Sequence, residues 1–242
     1  MHGARTPALG GDRVRIAPWR GDAQVAYVVA RSGRPSPTAI SGCVDELARR
    51  GFRAALTTAL AEPDQAPFLA NGFAVHERLH LLARPVQPLL DPPAVEVELR
   101  RGRRRDRPDV LEVDGAAFPE FWRLDDLALE DALDATPSAR FRVATSGEDP
   151  AILGYAVTGR ASSRGYLQRL AVHPRAQRAG IGTALVADAL RWLRRWGADE
   201  VLVNTQEDNH AAVALYERLG FRQQAAGLAV LRRDVAAGGG AG

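Results

Sequence analysis

The segment from residue 170 to 182 constrains the fold of this chain more than any other. The apolar stretch Leu170-Ala171-Val172 runs through a short loop into a helix that begins near Gly180. From there to Trp196 apolar residues recur at spacings of three and four, which predicts a long amphipathic helix. The sequence therefore predicts a strand, a turn and a helix in direct succession.

The start of that helix is suited to binding an anion. Backbone N–H groups in a first helical turn lack partners within the helix, and the helix dipole adds positive character. Gly180 and Gly182 have no Cβ, so a phosphate can approach the backbone, and Gln177 and Arg178 add side-chain donors. The residues predict a pyrophosphate site. A strand–turn–helix junction with incidental glycines is the alternative, because a lone Gly-x-Gly is a weak signal.

A second helix, predicted over His210–Leu219, carries polar and aromatic residues at defined positions. Asn209 can cap it by accepting from the exposed N–H groups. Ala212 is small enough to let a cofactor approach closely. Tyr216 follows two turns after Asn209 and shares its face, and Gly220 is placed to end the helix.

Together the two motifs resemble the acetyl-CoA motifs of the GNAT superfamily of N-acetyltransferases. The pattern over residues 95–233 is Gln177-x-x-Gly180-x-Gly182, followed by Asn209-x-x-Ala212-x-x-Leu215-Tyr216-x-x-x-Gly220-Phe221. The resemblance implies a mixed α/β (α+β) fold with a mostly antiparallel sheet flanked by helices, splayed after its fourth strand, here Tyr166–Val172. It also implies acetyl-CoA as co-substrate, an amine acceptor of unidentified structure, direct attack on the thioester, and no metal.

The resemblance also assigns roles to individual residues. Tyr216 would protonate the leaving CoA thiolate, because a phenol with a reference pKa of ~10 keeps its proton where a thiol of ~8.5 does not. Asn209 would contact the pantetheine region. The pantetheine arm would pair with the backbone of Leu170, Ala171 and Val172. The pyrophosphate would lie on the amides of Arg178, Ala179, Gly180, Ile181, Gly182 and Thr183.

The general base is the least defined part of the predicted site. The ribosomal-protein acetyltransferases of the superfamily place a glutamate on the fifth strand, where this chain has Asn204, and the fourth strand offers no carboxylate either. Glu207 is the predicted base, with Asp208 and His173 as alternatives. The missing strand carboxylate also leaves open a non-catalytic acyl-CoA-binding or partner-binding protein on the same scaffold.

A segment with four prolines, residues 85–93, divides the chain. Proline fixes φ and lacks an N–H, so the segment is predicted to be an extended linker. We predict a degenerate partial GNAT-like α/β unit at 1–85, the linker at 86–94, the GNAT domain at 95–235 and a disordered tail at 236–242.

The two halves share a weak repeat. Residues 49–56 parallel 195–202, and residues 71–73 parallel 219–221 after a two-residue gap. In this alignment Phe68 falls at Tyr216 and Ala61 falls at Asn209. We therefore expect the N-terminal unit to keep its packing and to bind no CoA, although two unrelated α/β segments stay an alternative. Mycothiol synthase, a tandem acetyltransferase, has a similar arrangement, but the short N-terminal half argues against a full match.

Composition narrows the class of protein further. All 32 basic residues are arginine, and 29 carboxylates nearly balance them, so a net charge of +3 gives no argument for nucleic-acid binding. The single cysteine, Cys43, excludes an internal disulfide and is expected to be a small buried residue. No apolar run reaches the ~18 residues of a membrane span. We expect a cytoplasmic protein with no nucleic-acid or membrane partner; the sequence does not indicate an oligomeric state.

Two further clusters leave alternatives open. The arginine run at 100–107 is either a solvated helix start or a patch for an acidic partner. The aromatic residues at 118–122 either line the acceptor site or belong to the core. Trp192 and Trp196 share a helix face and are predicted to pack.

Overall fold

The computed structural model describes residues 14–20, 22–30, 33–91, 95, 97–146 and 151–235. The tail predicted to be disordered lies outside the described residues. The chain forms two compact units, residues 1–80 with 225–242, and residues 81–224. Compactness therefore groups the last strand with the N-terminal residues, whereas the predicted domain boundaries follow the order of the chain.

The first unit is a sheet of short strands covered by two helices. Its elements are β1 (Val14–Trp19), β2 (Asp22–Ala30), α1 (Pro37–Arg49), β3 (Ala54–Thr57), β4 (Leu60–Ala61), α2 (Glu62–Leu69), the first part of β5 (Ala74–Pro85) and β12 (Leu228–Asp234). The strand order is β1-β2-β3-β12-β5, and β4 pairs with β12. Among these described strands β2 and β3 run parallel, and the other pairs are antiparallel.

Helix α1 shows why this unit folds as it does. The Ser36 side chain accepts from the Ala39 N–H, and a proline occupies the first turn. The apolar stripe of the helix faces the core, and Cys43 lies in it as predicted, with burial raising the pKa of the thiol to about 11. Gly51 follows the helix at φ 78°, a conformation that favours glycine.

The second unit is a sheet with helices on both faces. Its elements are the end of β5, β6 (Glu98–Arg101), α3 (Arg107–Ala117), α4 (Asp126–Asp134), β7 (Ser138–Thr145), β8 (Ile152–Ala161), β9 (Arg164–Val172), α5 (Ile181–Arg195), β10 (Glu200–Gln206), α6 (His210–Arg218) and β11 (Arg222–Gln223). The strand order is β5-β10-β9-β8-β7-β6, and β11 pairs with β5. Strands β9 and β10 are parallel, whereas neighbouring strands from β6 to β9 are antiparallel.

Two separate cores hold this sheet. Helices α3 and α4 pack in a cluster that includes Val143, whereas α5 and α6 pack in a cluster that includes the next residue, Ala144. Because successive strand residues point to opposite faces, the two helix pairs cover opposite sides of the sheet. The predicted mixed, mostly antiparallel α/β fold is confirmed.

The predicted helices at 180–196 and 210–219 are present as α5 and α6 with slightly shifted ends, and the predicted strand Tyr166–Val172 lies within β9. Val86, placed in the predicted linker, is buried, and its N–H donates to the Asp199 carbonyl (2.8 Å). The prediction that Trp192 packs is confirmed, but Trp196 is 55% exposed, so that prediction was wrong.

The repeat between the two halves is visible in their local geometry. The turn glycines Gly72 and Gly220 have φ values of 77° and 83°. The rings of Phe68 and Phe73 lie 5.3 Å apart, and those of Tyr216 and Phe221 lie 5.5 Å apart. In each half the N–H of the second aromatic residue donates to the carbonyl of the first. The same helix–glycine–strand turn is thus built twice.

Candidate functional site

The parallel strands β9 and β10 separate part-way along their length. Their pairing runs from Arg164 opposite Glu200 to Tyr166 opposite Leu202, where it ends. Strand β9 continues for six residues to Val172, still paired on its other side with β8. The sheet is therefore splayed where the sequence predicted, and one edge of β9 is left without a strand partner.

The direction in which the backbone groups of β9 point shows which of the three predicted residues could pair with a pantetheine arm. The His173 N–H donates to the Leu153 carbonyl (2.8 Å), so this residue faces β8. Since facing alternates along an antiparallel strand, Ala171 also faces β8, whereas Leu170 and Val172 face the open side. The Val172 carbonyl accepts from the Gln177 side chain (3.2 Å). On the open side, Leu170 thus offers its N–H and carbonyl to a ligand, and Val172 offers its N–H.

The turn into α5 leaves backbone donors free. Gly180 precedes the helix at φ 82°, and no side chain caps the helix start. The first N–H bonded within the turn is that of Ala184, which donates to the Gly180 carbonyl (3.0 Å). The amides of Ile181, Gly182 and Thr183 therefore have no helical acceptor. The Ile181 side chain is buried in the core, so this residue can offer only its backbone.

The residues before Gly180 are exposed and include a strained conformation. Arg178 has φ 64°, a left-handed value that a side chain disfavours, and both it and Ala179 lie at the surface. Such conformations persist where the surrounding structure holds them, and they are common at ligand-binding turns. A Cβ on Gly182 would lie 3.2 Å from a Leu215 methyl carbon, tighter than ordinary contact. Gly182 therefore lets α5 and α6 approach closely.

Helix α6 carries the predicted cap and proton donor. The Asn209 side-chain oxygen accepts from the Ala212 N–H (3.1 Å), which leaves the Asn209 amide nitrogen for other partners beyond a long contact to Gln206 (3.4 Å). Tyr216 is 5% exposed and packs in the same core as α5. Burial raises the pKa of its phenol, and the positive charge of Arg169 opposes that rise. The phenol is thus held neutral.

The candidate bases lie at less enclosed positions. Glu207 and Asp208 form an exposed turn after β10, and Asn204 is exposed near the end of that strand. The His173 Nδ1 accepts from the Arg175 N–H (3.2 Å), so it is occupied within its own turn. The role of Glu207 stays a prediction.

Sequence reasoning missed a buried ionic network beside the splayed strand. Asp114 on α3 is fully buried and accepts two hydrogen bonds from Arg169 on β9 (2.7 and 2.8 Å). It also accepts from the Tyr155 hydroxyl (2.5 Å) and from the Leu124 N–H (2.7 Å). Burial and the Asp114 charge raise the pKa of Tyr155. The signal that existed was the carboxylate of Asp114 four residues after Val110, on the buried face of α3.

This network also holds the aromatic segment after α3. The Arg169 guanidinium lies 3.5 Å from the centre of the Phe118 ring, and it donates to the Trp122 carbonyl (2.7 Å). Phe118 packs partly against the α3–α4 core, which favours the core alternative for that residue. Arg169 thus ties the splayed strand to the segment that the resemblance places beside the acceptor.

Within the described ranges, no group of three or more His, Cys, Asp or Glu side chains is placed to hold a metal ion. Among the helices of those ranges, none is both long and apolar enough to cross a membrane.

Comparison with known proteins gives the family. A model of the acetyltransferase (GNAT) family matches residues 107–221. A mycothiol acetyltransferase from Rhodococcus jostii is 32% identical over an alignment that covers 88% of this chain and 81% of the relative. The chain belongs to the GNAT acetyltransferase family. It is an acyltransferase of a family that uses acetyl-CoA as co-substrate.

Further matches in this family show how far the likeness reaches. The mycothiol acetyltransferase of Kocuria rhizophila is 34% identical over 62% of this chain, and the chain spans 55% of that relative. A tandem GNAT protein from the clavulanic acid biosynthesis pathway has the same fold, with a TM-score of 0.67 and 15% identity over 92% of this chain and 78% of its own. The similarity thus extends further into the N-terminal half than its shortness suggested.

Proposed function

We propose that this enzyme transfers the acetyl group of acetyl-CoA to the amine of a small, mycothiol-type acceptor, and that the second unit holds the only donor site. The observation that carries the donor site is the uncapped start of α5 beside the open edge of β9. The proposed acceptor class rests on the 32% identity to a mycothiol acetyltransferase across most of both chains.

The chemistry of the cleft fits the donor. The free amides at 181–183 and the helix dipole suit the pyrophosphate, with Gln177 and Arg178 beside them. The open backbone groups of Leu170 and Val172 suit the amides of the pantetheine arm, which would bind as an added strand. Asn209 keeps its amide N–H groups for the same arm, since its oxygen is used in the cap.

Tyr216 is proposed to assist departure of the CoA sulfur. The neutral acceptor amine attacks the thioester carbonyl carbon, a C–N bond forms, the C–S bond breaks and the electron pair leaves on sulfur. Because burial keeps the phenol protonated, Tyr216 can donate its proton, or a hydrogen bond, to the developing thiolate. The nearby charge of Arg169 stabilises the phenolate form that proton transfer would produce.

The acceptor must lose a proton before or during attack. Glu207, in the exposed turn after β10, is the proposed base, acting directly or through water. The unprotonated amine is the attacking form, so we expect acetyl transfer to rise with pH as free amine becomes more abundant.

The first unit is proposed to bind no CoA. At the positions of Asn209 and Tyr216 it has Ala61 and Phe68, and Ala61 makes no side-chain cap bond. Its role is then structural.

The experiment is a steady-state assay of CoA release with deacetylated mycothiol, an aminoglycoside, a polyamine and a peptide with a free N-terminus. Acceptor-dependent release that is fastest with deacetylated mycothiol is the expected result; a faster peptide would move the acceptor to protein N-termini. Calorimetric titration of the full chain with CoA is expected to give one site. Two equivalent sites would contradict the assignment of the first unit.

A further inference from the structure

A pocket of ≈ 440 Å³ lies in the second unit, away from the proposed donor site. It is bounded by β6, the start of α3, β7 and the far end of α5. Trp192, which lines it, lies about three turns beyond Ile181, roughly 16 Å along the helix axis. The pocket is therefore separate from the turn proposed for the pyrophosphate. Its size is that of a site for a small molecule.

Arginine dominates the lining of this pocket. The guanidiniums come from three separate elements rather than from the arginine run alone. Those that line it are Arg101, Arg103, Arg104, Arg107, Arg140 and Arg142. Trp192, Phe141 and Leu133 supply apolar surface between them. A solvated helix start would not gather arginines from β6, α3 and β7 around one concavity.

The carboxylates nearby balance only part of this charge. Asp188 accepts from Arg140 (2.8 and 3.0 Å) and lies 3.2 Å from the Arg142 Nε. Arg107 pairs at 3.3 Å and 3.9 Å with two acidic side chains of α4 that are more than half exposed, so these pairs contribute little. Among the residues that the structure describes, Arg101, Arg103 and Arg104 have no ion-pair partner.

The backbone explains how the unpaired arginines are held together. A Cβ on Gly102 would overlap the Phe141 ring, so only glycine lets this loop lie flat against β7. The Gly102 N–H donates to the Phe141 carbonyl (3.0 Å). Asp106 accepts from the Arg103 N–H (2.7 Å) and pairs with Arg100, which faces away from the pocket lining. The hydrogen bonds of Gly102 and Asp106 therefore fix the loop. The guanidinium groups of Arg101, Arg103 and Arg104 take no part in them and can bind a ligand.

Like charges held in one concavity raise the free energy of the empty site. Burial lowers the pKa of the Arg142 guanidinium, against the pull of Asp188, and the charge of Arg140 lowers it further. An anion would relieve this repulsion. Arginine forks match phosphate oxygens in bidentate geometry, and several in one pocket fit more than one phosphate.

We propose that this pocket binds a small molecule bearing two or more phosphate groups, at a site distinct from that of acetyl-CoA. The limited volume of this concavity favours a small ligand over a nucleic acid, which would need an extended basic face. The Trp192 and Phe141 rings offer an apolar contact for the rest of the ligand.

The test is calorimetric titration with inorganic tripolyphosphate of the full wild-type chain and of Gly180→Val, because binding at the turn before α5 would weaken in that variant whereas binding in the pocket would not. We expect one binding event, at least ten-fold tighter than for inorganic phosphate. The variant Arg101→Glu/Arg104→Glu should weaken it at least ten-fold. A gentler variant, Arg101→Gln/Arg104→Gln, should weaken it less and guards against misfolding.

The control carries the same charge change elsewhere on the unit, at the exposed residues Arg218→Glu/Arg222→Glu. It should bind tripolyphosphate within about two-fold of the wild type. Equal losses in control and pocket variants would mean that net charge alone attracts the anion. That result, or no binding to the wild type, would overturn the proposal. CoA affinity should be unchanged in the pocket variants, so the outcome is independent of the donor site.

Discussion

Helix α1 of the first unit and helix α5 of the second begin with opposite arrangements of their backbone donors. The Ser36 hydroxyl accepts from the Ala39 N–H (3.1 Å), and Pro37 has no N–H to offer. At α5, Gly180 occupies the equivalent position and leaves the first-turn amides free. The first helix start is closed by its own chain, whereas the second is open to an anion.

The parallel strand pairs beside these helices also differ, in how far one strand continues beyond its last paired residue. Strands β2 and β3 stay paired from Val25 to Val28, after which β2 runs for only two more residues. Strand β9 runs for six residues past its last pair with β10. A pantetheine arm needs several free backbone groups in a row, and among the described residues of these strand pairs it is β9 that provides that length.

Helix α2 keeps the packing of α6 and lacks its polar atoms. Phe68 and Tyr216 both lie seven residues after the helix cap. Phe68 packs against Phe73, and Tyr216 packs against Phe221. We propose from this comparison that the first unit keeps the scaffold of this family without its site. A few polar atoms and glycines, rather than the core, distinguish the unit proposed to bind the donor.

The most direct test of this comparison is to remove the hydroxyl oxygen of Tyr216. Tyr216→Phe should lower turnover ~100- to 10,000-fold, the range for loss of a general acid, with acetyl-CoA affinity nearly unchanged because the ring still packs. Steady-state rates and calorimetric affinity check this. The reverse change, Phe68→Tyr, is the matched control: it adds a buried hydroxyl and should leave turnover unchanged. An unaltered rate in Tyr216→Phe, with chemistry rate-limiting, would remove the role.

Much of this comparison could be predicted from the sequence, because its signals are local. Gly180, Gly220 and Asn209 act on backbone within a few residues, so spacing alone located the turn, the helix end and the cap. The repeat was readable for the same reason. The type of each main element followed from its periodicity.

The rest depends on residues far apart in the chain. Asp114 and Arg169 are 55 positions apart, and their pairing needs the register between α3 and β9, which no local pattern specifies. The arginine pocket likewise joins Arg101 to Arg140 through the tertiary fold. The placement of β12 beside β3 and β5 was missed because strand pairing across the length of the chain leaves no local signal.

Ion pairs offer a second contrast between the units. Asp188→Asn should destabilise the protein by ~3–5 kcal/mol at neutral pH, since it leaves the part-buried Arg140 and Arg142 without their carboxylate. In the first unit, Asp64→Asn removes a pair with Arg34 that is about half exposed, and should cost less than ~1 kcal/mol. Chemical denaturation of both variants measures the two free energies. Equal costs would contradict the contrast.

The pH dependence of the Asp188 effect follows from its pKa. Burial alone would raise that pKa, but hydrogen bonds and charge from Arg140 and Arg142 outweigh it and hold the pKa below its usual value. A depressed folded pKa gives stability that is present above the unfolded value of ~3.9 and is lost as pH falls through the folded value. The gap between wild type and Asp188→Asn should therefore narrow below about pH 4. A gap that stays constant to pH 2 would exclude this linkage.

Substituting a glycine of positive φ before each of the two helices tests their starts, with a smaller expected effect. Gly180→Val places a branched residue at φ 82°, which costs ~1–3 kcal/mol and should displace the turn, weakening CoA binding at least ~10-fold. Gly33→Val is the matched control, because Gly33 has φ 63° before α1 and open space around it. Both variants should lose thermal stability, but only the first should lose CoA affinity. Equal CoA affinity in the two folded variants would show that the donor site is misplaced.

The smallest expected effect concerns the cap that separates α2 from α6. Ala61→Ser should stabilise the protein by ~1 kcal/mol, because the cap residue has extended backbone and its hydroxyl can accept from a free first-turn N–H. Asn209→Ala should destabilise it by about the same amount through loss of the bond to the Ala212 N–H. Ala70→Ser, at the other end of α2 where no N–H is free, is the control. Denaturation midpoints measure all three, and a serine at 61 that stabilises no more than one at 70 would contradict the capping argument. Ala61→Ser should still create no CoA site, since Phe68 offers no hydroxyl and the first-turn amides of α1 remain closed.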